Sequence, residues 1–369
     1  MKPLSVYIHI PFCVRKCAYC DFNSVSEHTP QLMRRYCGAL MEEIETYARR
    51  LESRYAVETV YFGGGTPTLL APSDLDGILS LLRQRFAWRP RPEITIETNP
   101  GTSTSQQLRA LAAIGVNRLS IGAQSFDDAE LRLLGRIHRT ADTCRTFESA
   151  RKAGFANIGL DLIYGLPGQS AAGVARSIDE IARLAPEHVS TYSLTVEKGT
   201  PLSRSIAEGI LVRPDEKTQA AMFRAVIASL VKRRYRHYEI SNFARRGFES
   251  RHNSAYWTGA DYIGIGAGAH SFLSGRRYMN AVSVRSYIAH NRRRYDRALS
   301  GDERLWEKIA LGLRLTKGVC LRDSAVRREE LSKKAESLVK EGLLTMSHDL
   351  LKLTKKGVIF YDRVAVELI

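Results

Sequence analysis

The sequence predicts an α/β fold: a parallel sheet in the first half of the chain, followed by a smaller mixed α+β part. Two observations favour this fold. Up to about residue 196, six short runs rich in apolar and β-branched residues alternate with segments whose apolar residues recur at helical spacing. Beyond Gly199 this alternation stops. Repeated βα units are typical of parallel sheets with right-handed crossovers, and the residues alone leave open a doubly wound sheet or a partial barrel.

The individual elements follow from periodicity and from the glycines and prolines that interrupt it. Strands are predicted at the run that ends at Pro11 and at residues 57–62, 93–98, 117–122, 157–164 and 188–196. Helices are predicted at residues 31–54, 73–86, 105–114, 127–134, 141–154, 171–184 and 216–232. Later in the chain, helices are predicted at residues 303–315 and 329–341, and a hairpin at 342–353. The string Gly264-x-Gly266-x-Gly268 predicts close packing, because no βαβ unit begins there.

Three cysteines stand close together after the first predicted strand. Cys13, Cys17 and Cys20 are separated by three and two residues, so their thiols converge within one loop. A structural zinc site needs four protein ligands, and this loop offers no second pair, which makes zinc the second choice. Three thiolates on a [4Fe-4S] cluster leave one iron open to a ligand with its own donors. S-adenosylmethionine has such donors in its amino and carboxylate groups.

The motif Cys-x3-Cys-x2-Cys, with Tyr19 just before its last cysteine, resembles the radical S-adenosylmethionine superfamily. The string Tyr7-Ile-His-Ile-Pro-Phe-Cys13 resembles one branch, the oxygen-independent coproporphyrinogen III dehydrogenases and the HemW-type heme chaperones. The resemblance covers nearly the whole chain and implies an open (β/α)6 barrel with its cofactors at the C-terminal ends of the strands. It also implies that a reduced [4Fe-4S] cluster passes one electron that cleaves S-adenosylmethionine to methionine and a 5′-deoxyadenosyl radical.

The resemblance further implies which residues contact the cofactors. Gly64, Gly65 and Thr66 match the family's segment that holds the amino group of S-adenosylmethionine, and glycine lets a backbone come close to a ligand. The other matching positions are Tyr7, Tyr19, Glu97, Gln124, Arg136 and Asp161. Glu97 and Asp161 can accept hydrogen bonds from an ammonium group or from ribose hydroxyls, and Arg136 can pair with the carboxylate.

A basic segment follows the predicted parallel sheet. Between Lys232 and Arg297 there are 14 Lys and Arg against 4 Asp and Glu, within a chain of net charge +16. This indicates an anionic partner, namely heme propionates, a porphyrinogen, RNA or an acidic electron donor, or else a solvated face without a partner. His252 stands in a His-Asn-x-x-Tyr-Trp string that resembles a motif of the HemW branch. Because imidazole is a common axial ligand of heme iron, His252 is a candidate heme ligand.

Three functions are compatible with these cofactors: a heme chaperone, a coproporphyrinogen III dehydrogenase, and an RNA-modifying radical enzyme suggested only by the basic charge. Three departures from the dehydrogenase pattern favour the chaperone. Phe22 stands where the dehydrogenases carry a further cysteine, only twelve residues precede Cys13, and the string from His252 to Trp257 replaces a different sequence. Against RNA modification, the sequence has no recognisable appended RNA-binding module.

Composition and the two ends of the chain complete the predictions. The chain is 44% hydrophobic and 25% charged and has no apolar run long enough to span a bilayer. Met1-Lys2-Pro3 leads into the first strand and leaves no room for a signal peptide, which predicts a cytoplasmic location. The resemblance implies a radical S-adenosylmethionine core barrel with its [4Fe-4S] cluster at 1–235. It implies a basic linking segment with the His-Asn-x-x-Tyr-Trp motif at 236–300 and a small C-terminal domain like that of the same family at 301–369. The expected partners are heme or a porphyrinogen, a heme-acceptor protein such as a respiratory protein, and a flavodoxin or ferredoxin as electron donor; no nucleic acid is expected.

Overall fold

The computed structural model describes residues 1–51, 53–290, 293–321, 328–348 and 350–368. Its strands are β1 (Lys2–Ile10), β2 (Tyr55–Gly64), β3 (Ala87–Thr98), β4 (Arg118–Gln124), β5 (Ile158–Tyr164), β6 (His188–Ser193), β7 (Arg236–Glu239), β8 (Asn242–Ala244), β9 (Tyr262–Ile265), β10 (His270–Leu273), β11 (Arg276–Asn280), β12 (Arg293–Ala298), β13 (Val319–Cys320), β14 (Leu344–Met346) and β15 (Leu350–Leu353). Its helices are α1 (Pro30–Leu51), α2 (Pro72–Arg85), α3 (Ser105–Ala113), α4 (Asp128–Leu133), α5 (Thr140–Lys152), α6 (Ala171–Leu184), α7 (Pro201–Ala207), α8 (Glu216–Lys232), α9 (Arg251–Trp257), α10 (Val284–Ile288), α11 (Gly301–Gly312), α12 (Arg328–Lys340), α13 (Lys355–Ile359) and α14 (Tyr361–Leu368), with a 3₁₀ turn at Pro67–Leu69.

The order of the strands decides between the two architectures that the sequence left open. Strands β1 to β6 pair in parallel, each beside its successor in the chain. A doubly wound sheet reverses its strand order at a switch point, whereas a barrel adds every strand on the same side. The predicted α/β fold with a partial (β/α)6 barrel is therefore confirmed.

The barrel stays open because other strands extend both sides of the parallel sheet. Strand β9 pairs in parallel with β1 and continues into the antiparallel strands β10, β11 and β12. On the other side, β8 and β7 pair antiparallel beyond β6. Within the described residues, β12 and β7 form the two edges of this sheet, so it does not close.

Alternating residues of each strand separate the packed outer face from the polar inner face. Val6, Ile8 and Ile10 of β1 are fully buried against the helical layer, whereas Tyr7 and His9 point to the other side and line a cavity. Two-residue periodicity of this kind places every second side chain inside the barrel. Functional groups are therefore expected on the residues between the apolar ones.

Helix α1 shows how the outer layer is stabilised. Its buried residues recur every three or four positions, and they are Tyr36, Leu40, Ile44, Tyr47 and Leu51. Burying one large apolar side chain contributes about 1.5–3 kcal/mol, so this stripe supplies much of the free energy that fixes α1 on the sheet.

Local signals fix where several helices begin. Thr104 and Gln107 form a capping box at the start of α3, and Ser300 and Glu303 form one at the start of α11. Each box satisfies backbone N–H groups that the helix itself leaves without acceptors, and loss of such a cap costs about 1 kcal/mol.

The described residues between 236 and 300 contribute strands β7 to β12 to the central sheet and are tied to α1 by a buried carboxylate. Glu43 accepts hydrogen bonds from the backbone of Gly266 (3.0 Å), from Asn280 (2.9 Å) and from the hydroxyl of Tyr287 (2.6 Å). The predicted close packing of the glycine string is confirmed, because a Cβ at Gly264 would lie 2.1 Å from the carbonyl oxygen of His270. The division of the chain at residues 235 and 300 remains a prediction.

The C-terminal elements form a second, smaller core. Helices α11, α12 and α14 pack on a three-stranded sheet of order β13-β15-β14 through Trp306, Ile309, Leu338 and Leu351. Strands β14 and β15 pair antiparallel, which confirms the predicted hairpin. Within the described part of the chain, no helix combines the length and the apolar character that crossing a membrane requires.

Candidate cofactor site

The three clustered cysteines lie on the loop that follows β1, at the C-terminal edge of the barrel. Two backbone hydrogen bonds close this loop, from Cys13 N–H to Val25 O (2.9 Å) and from Val25 N–H to Pro11 O (2.8 Å). A third, from Ala18 N–H to Leu134 O (2.9 Å), holds it against the barrel. Cys13 is buried, Cys17 and Cys20 are half-buried, and all three thiols are free. They line one cavity of about 460 Å³.

Two of these thiols already have hydrogen-bond donors. The Thr66 hydroxyl donates to Cys13 Sγ over 3.7 Å, and Arg136 Nη1 donates to Cys17 Sγ over 3.4 Å. Burial raises the pKa of the Cys13 and Cys20 thiols, so the loop by itself disfavours free thiolates. A bound iron–sulfur cluster would favour the thiolate form in spite of burial, because metal coordination deprotonates the thiols and offsets their charge. Soft sulfur donors with hydrogen bonds to the sulfurs therefore fit such a cluster.

The glycine turn after β2 is pressed against the cysteine loop. Gly65 N–H donates to Ile10 O, and Thr66 N–H donates to Phe12 O, both over 2.8 Å. A Cβ at Gly65 would stand 2.6 Å from the carbonyl oxygen of Phe12, and Gly64 has a φ of 115°. Neither position therefore accepts a larger residue without strain. The two loops form one rigid corner of the cavity.

Two carboxylates line the cavity across from the cysteines. Glu97 at the end of β3 accepts hydrogen bonds from the Tyr61 hydroxyl (2.7 Å) and from Gly64 N–H (3.0 Å). Burial raises the pKa of Glu97 to about 7, and the neighbouring Asp161 adds to the rise against these hydrogen bonds. Burial also raises the pKa of Asp161, although Ser120 and Ser190 hydrogen-bond to it. Both groups are placed to receive a cationic ligand.

Arg136 and Gln124 occupy the next part of the cavity wall. Arg136 Nη2 donates to Asn99 Oδ1 over 2.6 Å and to Gly122 O over 2.7 Å. Gln124, the last residue of β4, has a φ of 64°, a left-handed conformation that is uncommon outside glycine. The strand therefore turns sharply at this residue, which lines the cavity.

The structure brings most of the predicted site residues together. Those that line the cavity are Cys13, Cys17, Tyr19, Cys20, Gly64, Gly65, Glu97, Gln124, Arg136 and Asp161. Thr66 lies behind the wall, where it contacts Cys13. Tyr7 lines the neighbouring larger cavity, and its hydroxyl hydrogen-bonds to His9 Nδ1 over 3.0 Å. The predicted roles of these residues remain predictions.

His252 lies apart from the cofactor cavity, inside the barrel behind Tyr7 and Tyr61. Its Nδ1 hydrogen-bonds to Thr59 Oγ1 over 2.7 Å and its Nε2 to the Tyr256 hydroxyl over 2.9 Å. The side chain is 1% exposed, and burial lowers the pKa of His252 to about 3. Its role as a heme ligand remains a prediction, and in this conformation both ring nitrogens have partners.

Several cavity residues were not predicted. Tyr61, Asn99, Ser120 and Ser190 hydrogen-bond to predicted site residues and line the same cavity. Their only signal was that each stands at or just beyond a strand position between buried apolar residues. The pairing of neighbouring strands, such as Asp161 opposite Ser190, is needed to bring them together.

The open barrel with three cysteines at its C-terminal edge defines a class, the radical S-adenosylmethionine proteins. Residues 7–185 match the family model described as the Radical SAM superfamily, and residues 299–360 match the HemN C-terminal domain. Membership of this superfamily implies a [4Fe-4S] cluster and S-adenosylmethionine as cofactors, and the donor set described above fits both.

Individual relatives place the chain within one branch. The Heme chaperone HemW of Lactococcus lactis is 38% identical and the match covers 86% of this chain and 83% of that protein. The Heme chaperone HemW of Bacillus subtilis is 36% identical, with coverages of 98% and 97%. The chain belongs to the HemW family. The structure of coproporphyrinogen III oxidase (HemN) from Escherichia coli, a radical enzyme of the same superfamily, superposes with a TM-score of 0.85 at 26% identity, covering 100% of this chain and 90% of that one.

Proposed function

We propose that this chain is a heme chaperone, which binds heme and transfers it to acceptor proteins, and that its S-adenosylmethionine is exchangeable. The observation that carries this proposal is a second cavity, of about 1100 Å³, that adjoins the cofactor cavity. Sites for small molecules usually measure about 300–1,000 Å³, so this cavity has room for a tetrapyrrole. The similarity of nearly the whole chain to proteins named heme chaperones supports the same function.

The residues of the cofactor cavity have separate tasks in this proposal. When bound, the cluster supplies the electron that cleaves the sulfonium of S-adenosylmethionine. Cys13, Cys17 and Cys20 hold the cluster, and Thr66 and Arg136 fix two of the sulfurs through the hydrogen bonds described above. Such hydrogen bonds orient ligands and tune the reduction potential.

The alternative function is oxidative decarboxylation of coproporphyrinogen III, because the oxidase from Escherichia coli has the same fold. Phe22 favours the chaperone. Its side chain is 69% exposed beside the cysteine loop and lines both cavities, at the position where the dehydrogenases carry a further thiol. The wall therefore carries a phenyl group at this point where the dehydrogenases carry a further thiol, although the remaining cofactor residues are compatible with either function.

An anaerobic assay separates the two functions. We expect the reconstituted protein, supplied with coproporphyrinogen III, S-adenosylmethionine and a strong reductant, to form no protoporphyrinogen beside an authentic dehydrogenase as positive control. The same preparation, incubated with hemin, should carry a Soret band through gel filtration. Sustained turnover would make the chain the biosynthetic enzyme, and a protein that elutes without heme would refute the chaperone.

We propose that the partners are a heme-acceptor protein, including respiratory proteins, and a cytoplasmic flavodoxin or ferredoxin as electron donor. The donor would dock on the exposed face of the cysteine loop. Val14 of this loop and Ile137, which lines the same small hollow as Val14 and Arg15, are 54% and 51% exposed, and Arg15 and Lys16 are exposed next to Val14 in the loop. Apolar contacts surrounded by basic groups suit an acidic redox protein, whose association they would also accelerate.

Charge reversal at this face tests the donor proposal. We expect Lys16→Glu to slow cluster reduction by a flavodoxin several-fold at low ionic strength and to remove most of its salt dependence, because attraction between exposed charges is screened by salt. The matched control is Lys217→Glu on α8, which also reverses an exposed lysine but outside this face. Stopped-flow measurement of the reduction rate is the readout. Equal rates for the two variants would rule out this docking face.

A further inference from the structure

The larger cavity lies between the central sheet and the C-terminal helix α11. Tyr262 of β9, His270 and Phe272 of β10 contribute from the sheet, and Arg304 and Lys308 contribute from α11. Phe22, Gly64 and Glu97 line this cavity and the cofactor cavity alike. A ligand here would therefore lie next to the site of S-adenosylmethionine while leaving that site free.

Aromatic side chains form one part of this cavity. Tyr256, Trp257, Tyr262 and Phe272 all line it. Tyr256 contacts Tyr262 edge to face with a ring separation of 4.6 Å, and Trp257 lies 6.3 Å from Tyr256. Such surfaces offer large, rigid contact areas to a flat conjugated ligand.

Cationic side chains of α11 line the cavity beside these aromatic residues. Arg304 and Lys308 are one helical turn apart on α11 and are exposed. Neither forms an ion pair with a carboxylate among the described residues, whereas Arg277 nearby is paired with Glu307. Two cations without carboxylate partners beside an aromatic wall suit a ligand with an apolar ring and two carboxylates, and heme has that composition.

Two histidines line the cavity, and they differ in the availability of their ring nitrogens. His9 is buried, with Nε2 hydrogen-bonded to Asn23 O over 2.7 Å and Nδ1 to the Tyr7 hydroxyl over 3.0 Å. His270, the first residue of β10, is exposed and makes no side-chain hydrogen bond or ion pair with the described residues. An imidazole can bind iron only through a nitrogen with a free lone pair, so His270 is the better placed of the two.

We propose that heme binds in this cavity with His270 as an axial ligand of the iron and with Arg304 and Lys308 pairing with its propionates. The inference rests on the proposed function and names the residues that would carry it.

His252 receives a different task in this arrangement. Its Nδ1 hydrogen-bonds to Thr59 Oγ1 of β2 over 2.7 Å, and its Nε2 hydrogen-bonds to the Tyr256 hydroxyl of the aromatic wall over 2.9 Å. The histidine of the His-Asn-x-x-Tyr-Trp string therefore holds α9, and with it the aromatic wall, in place. It is a positioning residue, and the ligand comes from β10.

Hemin titration of the full-length protein, followed by absorption and electron paramagnetic resonance, tests the ligand. We expect His270→Ala to weaken hemin binding at least tenfold and to replace the histidine-ligated spectrum, and added imidazole to restore that spectrum in His270→Gly. The control is His290→Ala, which removes another exposed histidine outside the cavity and should bind hemin like the wild type. Cluster content and S-adenosylmethionine binding should stay unchanged in all three variants, which shows that they are folded.

The outcomes distinguish this inference from the proposed function. Wild-type protein that binds no hemin would refute the proposed function itself. Wild-type binding with an unchanged spectrum and affinity in His270→Ala would leave the chaperone function intact and refute His270 as ligand.

The propionate contacts are tested separately by the double variant Arg304→Glu with Lys308→Glu. It should weaken hemin binding at least tenfold but leave binding of hemin dimethyl ester within about twofold of the wild type, because the ester has no carboxylates to pair. Equal losses with both ligands would refute the propionate assignment.

Discussion

Replacing Cys17 with alanine should prevent assembly of the [4Fe-4S] cluster after anaerobic reconstitution. Cys17 stands at the centre of the cysteine loop, and its sulfur lies 3.4 Å from the Arg136 guanidinium. Two thiolates cannot replace three at a cluster that already has an iron without a protein ligand, so we expect most of the iron and the broad visible absorption of the cluster to be lost. Iron and sulfide analysis, with the absorption spectrum, measures this loss.

A matched cysteine variant controls for the chemistry of reconstitution. Cys144 on α5 is a free, half-buried thiol outside the cofactor cavity. Cys144→Ala should therefore assemble the cluster like the wild type, and circular dichroism should report the same fold for both variants. A full cluster in Cys17→Ala would show that the ligand assignment is wrong.

The sequence predicted the parallel strands well because two independent signals agree there, namely runs of apolar and β-branched residues and the prolines or glycines that end these runs. In β1, for example, apolar residues end sharply at Pro11, and in β2 they end at the glycine turn. Strand β3 is longer than predicted, since residues from Ala87 pair with β2 before a register shift near Thr59 that periodicity cannot reveal. The presence of each parallel strand could thus be predicted from the sequence, whereas the residues at which a strand begins and ends depend on its pairing with the neighbouring strand.

The strands β9 to β12 were not predicted, and the reason is their reliance on long-range contacts. Each spans four to six residues, and β9 includes Gly264, which weakens any intrinsic strand preference. Gly264 N–H instead hydrogen-bonds to the Ser271 hydroxyl over 2.8 Å, and β9 pairs with β1 from the other end of the chain. Only the folded sheet supplies these partners.

The candidate site also contains residues that the local sequence predicts and residues whose position depends on the fold. The spacing of the three cysteines predicts their site, because residues close together in a loop are also close together in space. His270 carried no such signal: it stands after the glycine string as a lone histidine, and its relevance comes from the cavity that β10 and α11 form around it. His252 stood in a recognisable motif, yet the fold buries it and occupies both its nitrogens.

The affinity of the reconstituted protein for S-adenosylmethionine should increase as the pH rises from 6 to 8, and Glu97→Gln should remove this increase. In the ligand-free protein the pKa of Glu97 is about 7, so at pH 6 the carboxyl group is mostly protonated. The protonated group neither attracts a cationic ligand nor accepts hydrogen bonds as well as a carboxylate. Well below pH 7 the wild-type affinity should therefore approach a tenfold loss per pH unit. At pH 8 the variant should bind at least tenfold more weakly than the wild type.

Comparison of the two proteins isolates Glu97, because titration of the ligand's own amino group affects both equally. Isothermal titration at constant ionic strength measures the affinities. If the pH dependence of the wild-type affinity persists in Glu97→Gln, it comes from another group.

The stability of the protein gives an independent check on Glu97. Because folding raises the pKa of Glu97 above its ordinary value of 4.5, its contribution to stability is lost as the pH rises from about 4.5 to about 7. Glu97→Gln should therefore raise the melting temperature of the ligand-free protein at pH 8 more than at pH 5. If Glu97 is a buried carboxylate that binds the ligand, Glu97→Gln should lower the affinity for S-adenosylmethionine and raise the melting temperature. If Glu97 only stabilises the fold, the substitution should lower both the affinity and the melting temperature.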